Sequence, residues 1–197
     1  MSAPVLDLAI GVLAAVVGYA VGSVNPASIV ARLRGADLRA VGSGNPGATN
    51  AGRAFGWRVG LAVALLDIAK GWLPVMLFLH VDAPVAALVA GVAAVLGHTT
   101  SPWLHGRGGK GVATSLGAIL AVQPVWTLPV LVVFGLVLLV THRVGLSSVA
   151  GALALVPAAL VWHERPADVA FACVLAGIVV VRHWRNLRDA AQRADVV

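Results

Sequence analysis

Arg53 and Lys110 each stand in a stretch crowded with glycine, hydroxyl and amide residues, a combination suited to holding an oxyanion. Around Arg53 the sequence reads GSGNPGATNAGR at 42–53. Its glycines permit close backbone approach, and Ser43, Asn45, Thr49, Asn50 and Arg53 carry hydroxyl, amide and guanidinium donors. Pro46 is expected to open a helix with Asn45 as its cap, aiming N–H groups at an anion, with Thr49 and Arg53 four apart on one face. Around Lys110 the sequence reads GHTTSPWLHGRGGKGVAT at 97–114. Gly108, Gly109 and Gly111 flank the lysine at a helix entry, which lets backbone amides and the ammonium converge on phosphate oxygens. This is not a Walker loop, which needs four residues between its first Gly and Gly-Lys-Ser/Thr, so a nucleoside triphosphatase is disfavoured. The third stretch, RHWRNLR at 182–188, sets His183 and Asn186 on one helix face, three residues apart. Each stretch also has a plainer reading: a capped turn, a basic loop against anionic headgroups, and an interfacial helix end.

The elements that must position these stretches are membrane helices. Of 197 residues, 59% are hydrophobic and 11% charged, with a mean hydropathy of +0.93; soluble domains carry roughly 45–50% and about 25%. The net charge of +6 therefore reports orientation and anionic headgroups before nucleic acid, and no nucleic-acid partner is expected. Cys173 is the single cysteine and reads as packing; no metal-ligand spacing is present, so no metal or cofactor is expected. Apolar intervals of membrane-crossing size run over 8–31, 57–80 and 85–104. The interval 111–142 lacks Asp, Glu, Lys and Arg but has Lys110 and Arg143 at its ends. Both ends are then cytoplasmic, and two crossings turn at Gln123-Pro124, the first of them short. Intervals 146–162 and 169–181 complete seven transmembrane helices, with the N-terminus outside and the C-terminus cytoplasmic. On that topology 12 of the 14 Lys and Arg lie at the inner face, Lys70 and Arg165 being the exceptions. The longest polar interval is too short for a core of its own, so residues 1–197 are expected to form one polytopic membrane domain with an all-α fold. Asp67 and Lys70, three apart inside the second span, either neutralise each other or support the polar site.

The three stretches together resemble the bacterial acyl-phosphate:glycerol-3-phosphate acyltransferases of the PlsY family. The similarity rests on GSGNPGATNAGR at 42–53, GGKGVAT at 108–114 and RHWRN at 182–186, with support from Gly22-Ser23 and LDIAKG at 66–71. It departs from the family pattern at Ser101-Pro102-Trp103, at Gly106 and in the tail at Arg188-Asp189. The resemblance implies transfer of a fatty acyl group from acyl phosphate to the 1-hydroxyl of sn-glycerol 3-phosphate, giving lysophosphatidic acid and phosphate, the first acylation of phospholipid biosynthesis. It implies a multi-pass protein of the bacterial inner membrane with its active site on the cytoplasmic face, contacts with membrane lipids, and an enzyme upstream that makes acyl phosphate. Carried over by motif, the catalytic set is Ser43, Lys110, His183 and Asn186. The substrate-binding set is Ser43, Asn45, Thr49, Asn50, Arg53, Gly108, Gly109, Lys110, Gly111, His183 and Asn186. In this reading Arg53 and Lys110 hold phosphates, Ser43 and Asn45 orient them, and the 108–111 amides stabilise anionic oxygen. Asn186 fixes substrate or His183, and either His183 or the substrate's own phosphate takes the proton. The alternative is a transporter of organic phosphates; its site would sit near mid-membrane, where only Asp67 and Lys70 are polar.

Overall fold

A run of apolar residues in lipid can satisfy its backbone only as a helix or a closed barrel, and this chain takes the helical solution throughout. The computed structural model describes residues 3–163 and 165–194, and every regular element among them is helical. Packing sorts them into two compact units, one ending at Val122 and the other starting at Gln123. The first holds α1 (Ala3–Ser23), α2 (Pro26–Leu33), α3 (Ala48–Phe55), α4 (Trp57–His80), α5 (Pro84–Thr99) and α6 (Val112–Val122), with a 3-10 turn at Pro102–Leu104. The second holds a 3-10 turn at Pro124–Trp126, then α7 (Thr127–Thr141), α8 (Val144–Trp162), α9 (Pro166–Arg182) and α10 (Trp184–Ala194).

Lipid tails are as apolar as leucine, so membrane helices associate through close packing of small residues. Here α1 lies along α5 and α4 along α6. A Cβ at Gly18 or Gly22 of α1 would fall on the carbonyl of Ala90 or Ala94 of α5, and one at Gly97 would fall on that of Tyr19. The α4/α6 contact is equally close: Gly71 abuts the Thr114 carbonyl and Gly117 that of Ile68. In the second unit α8 packs on α7 and α9, and the buried Trp126 indole donates to the Trp162 carbonyl at 3.4 Å.

Among the described residues, five stretches are long and apolar enough to cross a membrane: Pro4–Leu33, Trp57–His80, Pro84–Leu104, Pro124–Thr141 and Val144–Trp162. A sixth candidate is the pair Pro166–Arg182 and Trp184–Gln192, bent by 62°. The expected all-helical membrane architecture thus stands at five or six candidate spans, with the short helix α6 besides. The first interval differs from its expected continuous form. It breaks after Ser23, and α2 restarts at Pro26 under an Asn25 cap whose side chain accepts from the Ser28 N–H at 2.8 Å.

Candidate active site

Motif 42–53 is held from beneath. Helix α3 rests on a cluster of Ala27, Ala31, Leu38, Ala51 and Val63, with Phe55 packed at its edge; the Arg34 guanidinium lies over the Phe55 ring at 5.2 Å. Asn50 is 1% exposed. Its Oδ1 accepts from the Ser43 N–H at 3.1 Å, and its Nδ2 donates to the carbonyls of Leu38 at 3.0 Å and Val41 at 2.9 Å. Asn50 therefore staples the loop that carries Ser43, and its amide faces backbone where the motif suggested substrate. The expected helix start also moves. Gly47, not Asn45, is the N-cap of α3 and makes no side-chain cap bond. The reason lies at Pro46, whose carbonyl is taken by the Asn25 amide at 3.0 Å, leaving the helix to begin at Ala48. Ser43 and Thr49 near the cap are exposed and Asn45 is half-buried, while Arg53 is exposed in the last turn of α3. Upstream, the exposed Asp37 pairs with Arg39 at 3.0 Å, and that hydrogen-bonded guanidinium holds the carboxyl below its ordinary pKa.

Motif 108–114 begins where α5 ends. The Gly108 and Gly109 N–H groups donate to the carbonyls of Thr99 and His98, each at 3.1 Å, which ties the loop onto the C-terminal turn of α5. The expectation that all the 108–111 amides serve an anion is narrowed accordingly: these two satisfy the α5 carbonyls. Gly111 sits at φ +84, and a Cβ there would come within 3.0 Å of Val95 and 3.2 Å of Thr99, so only glycine turns the chain into α6 without strain. Lys110 is half-buried, at the entry to α6, whose first N–H groups have no acceptor within the helix. The hydroxyls of Thr114 and Ser115, both buried, have no hydrogen-bond partner among the described residues. Leu104 and the 37–39 turn wall the same small cleft, so the flanks of the two motifs adjoin.

The third stretch belongs to the second unit. His183, 2% exposed, forms the joint between α9 and α10. Its Nδ1 lies 2.8 Å from the Val179 carbonyl. A carbonyl only accepts, so Nδ1 is the donor in this bond. Asn186 is half-buried and packs on the start of α8: a Cβ at Gly145 would meet its Nδ2 at 2.7 Å.

Two residues given no role by motif reasoning prove central, Asn25 and His98. Asn25-Pro26 does carry a helix-start signal, an N-cap followed by Pro at the first helical position, but it is submerged in an apolar run. His98 packs its ring on Gly109, where a Cβ would fall on Nε2, and its Nδ1 is 3.5 Å from Asp67. Asp67 pairs with Lys70 at 2.8 Å, both side chains buried.

The glycerol-3-phosphate acyltransferase family model matches residues 12–193. A glycerol-3-phosphate acyltransferase of Geobacter sulfurreducens is 41% identical, with 87% of this chain and 89% of the relative covered. Glycerol-3-phosphate acyltransferase 1 of Deinococcus radiodurans is 43% identical, with 89% of each covered. Among solved structures, PlsY (YgiH), an integral membrane glycerol 3-phosphate acyltransferase, is similar in its glycerol 3-phosphate form at a TM-score of 0.88 and 32% identity. Its lysophosphatidic acid form is similar at 0.86 and 30%, with 92% of both chains covered in each case. A family match across nearly the whole sequence, joined to this helical frame, means that the chain belongs to the PlsY family of integral membrane glycerol-3-phosphate acyltransferases.

Proposed function

We propose that this acyltransferase moves a fatty acyl group from acyl phosphate to the 1-hydroxyl of glycerol 3-phosphate at the cytoplasmic face of the bacterial inner membrane, releasing lysophosphatidic acid and phosphate. The observation that carries the reading is the similarity to PlsY in both its glycerol 3-phosphate and its lysophosphatidic acid forms. The seven-crossing topology, N-terminus outside, belongs to the same proposal: it counts α6 as a crossing and α9 as the last, with α10 beyond it. An eleven-residue helix rises only about 16 Å against a hydrocarbon core of about 30 Å. The loop before α6 must then dip into the leaflet, which sets Lys110 where a headgroup phosphate and an acyl chain meet.

In the mechanism, each of the three stretches contributes its own groups to acyl transfer. Arg53 and Lys110 clamp the two phosphates, and Ser43, Asn45 and Thr49 orient them. The N–H groups at the α6 entry stabilise the oxyanion that forms at the acyl carbon. Acyl phosphate is an activated mixed anhydride, so alignment and charge stabilisation suffice and no covalent enzyme intermediate is needed. His183 accepts the hydroxyl proton or leaves it to the substrate phosphate, and Asn186 holds that corner. The decisive experiment offers purified enzyme acyl phosphate, acyl-CoA and acyl carrier protein separately with glycerol 3-phosphate. Lysophosphatidic acid forms with acyl phosphate; its absence there refutes the proposal. Lys110→Ala lowers turnover well over tenfold, and near-normal turnover of His183→Ala removes the histidine from the base role.

A further inference from the structure

The backbone step between α1 and α2 is a hub. Lys70 Nζ donates to the Val24 carbonyl at 2.7 Å, and the Ser101 hydroxyl donates to the Ser23 carbonyl at 2.6 Å. The Trp103 indole donates to Ser23 Oγ at 3.0 Å, and the Asn25 amide reaches the Pro46 carbonyl at 3.0 Å. Ser23, Asn25, Lys70 and Ser101 are all buried. One arm of this network ends in motif 42–53 at Pro46. The other runs from Lys70 through Asp67 to His98, whose ring supports Gly109. The two motif loops are thus referred to one point of the backbone. A helix break at membrane depth needs its backbone groups satisfied, and here side chains from both loops' supports do this.

We infer that Asn25 and Lys70 are positioning residues for acyl transfer, registering the Arg53 loop and the Lys110 loop against each other through the Ser23–Asn25 break. The inference rests on the assignment of Arg53 and Lys110 to the two phosphates. Each substrate still meets its own loop when the hub is loosened, so binding survives, but the attacking hydroxyl and the acyl carbon lose alignment, to which rate is steeply sensitive.

The test uses purified full-length enzyme with acyl phosphate and glycerol 3-phosphate, turnover being normalised to folded protein. Asn25→Ser keeps an oxygen to cap α2 but removes the amide that reaches Pro46; Lys70→Met removes the bond to Val24. Each lowers kcat about tenfold or more while both KM values stay within about threefold. The double variant loses at least fivefold less than the product of the single losses, because a shared register can be lost only once. Damage through stability alone compounds instead, giving a loss equal to or greater than the product. Such an outcome, or kcat within twofold in Asn25→Ser, overturns the inference, and Asn25→Ser decides alone if Lys70→Met does not fold. Arg53→Ala and Lys110→Ala run alongside: full activity there sinks the phosphate assignment itself, whereas their loss beside an unaffected Asn25→Ser sinks only the positioning role.

Discussion

Replacing Asn50 with alanine cuts three hydrogen bonds at one stroke, those to the Ser43 N–H and to the carbonyls of Leu38 and Val41. At about 1 kcal/mol net for each, the loop that carries Ser43 loses about 3 kcal/mol of its hold on α3. Every 1.4 kcal/mol is a factor of ten, so the open form of residues 38–43 rises by roughly two decades. Hydrogen exchange followed by mass spectrometry on the substrate-free enzyme reads this directly as faster exchange of the amides in that loop. Asn50→Asp does no better: it retains an acceptor for Ser43 but points carboxylate oxygen at two carbonyls. Thr49→Ala, one residue away on the exposed side of α3, leaves the exchange unchanged. A residue that touched only substrate would leave the substrate-free loop alone and raise KM. Loop exchange within threefold of wild type in Asn50→Ala therefore refutes the staple.

Three further outcomes follow from the geometry. Gly22→Val drives a side chain into the Ala94 carbonyl and costs about 2–3 kcal/mol in thermal unfolding; Gly11→Ala, with nothing within 4 Å of its Cβ, stays within about 1 kcal/mol of wild type. Gly109→Ala displaces the His98 ring, and turnover drops by about tenfold or more while the melting temperature moves little. The Asp37 carboxyl, held low by Arg39, favours the folded turn above the unfolded carboxyl pKa, and that contribution disappears as pH falls through the folded value. The turn thus loosens only below about pH 4. Because the pair is exposed, Asp37→Asn leaves turnover from about pH 6 to 8 within about twofold.

Apolar length and the placement of arginine and lysine are local properties of a chain, which is why the interval 57–80 coincides with α4 and Gln123-Pro124 with the joint before α7. The glycine and cation content of 42–53 and 108–111 is local too, and it is what leads the proposed mechanism to give them the phosphates. What each donor faces was decided by tertiary structure. Asn50 looked like a ligand group and staples backbone; Gly108 and Gly109 looked like anion donors and close the end of α5. Asn25, hidden in an apolar run, became a cap and a clip together. An amide in a water-poor interior bonds whichever group is packed beside it, and only tertiary packing, such as that of α3 on α4 and of α1 on α5, determines which group that is.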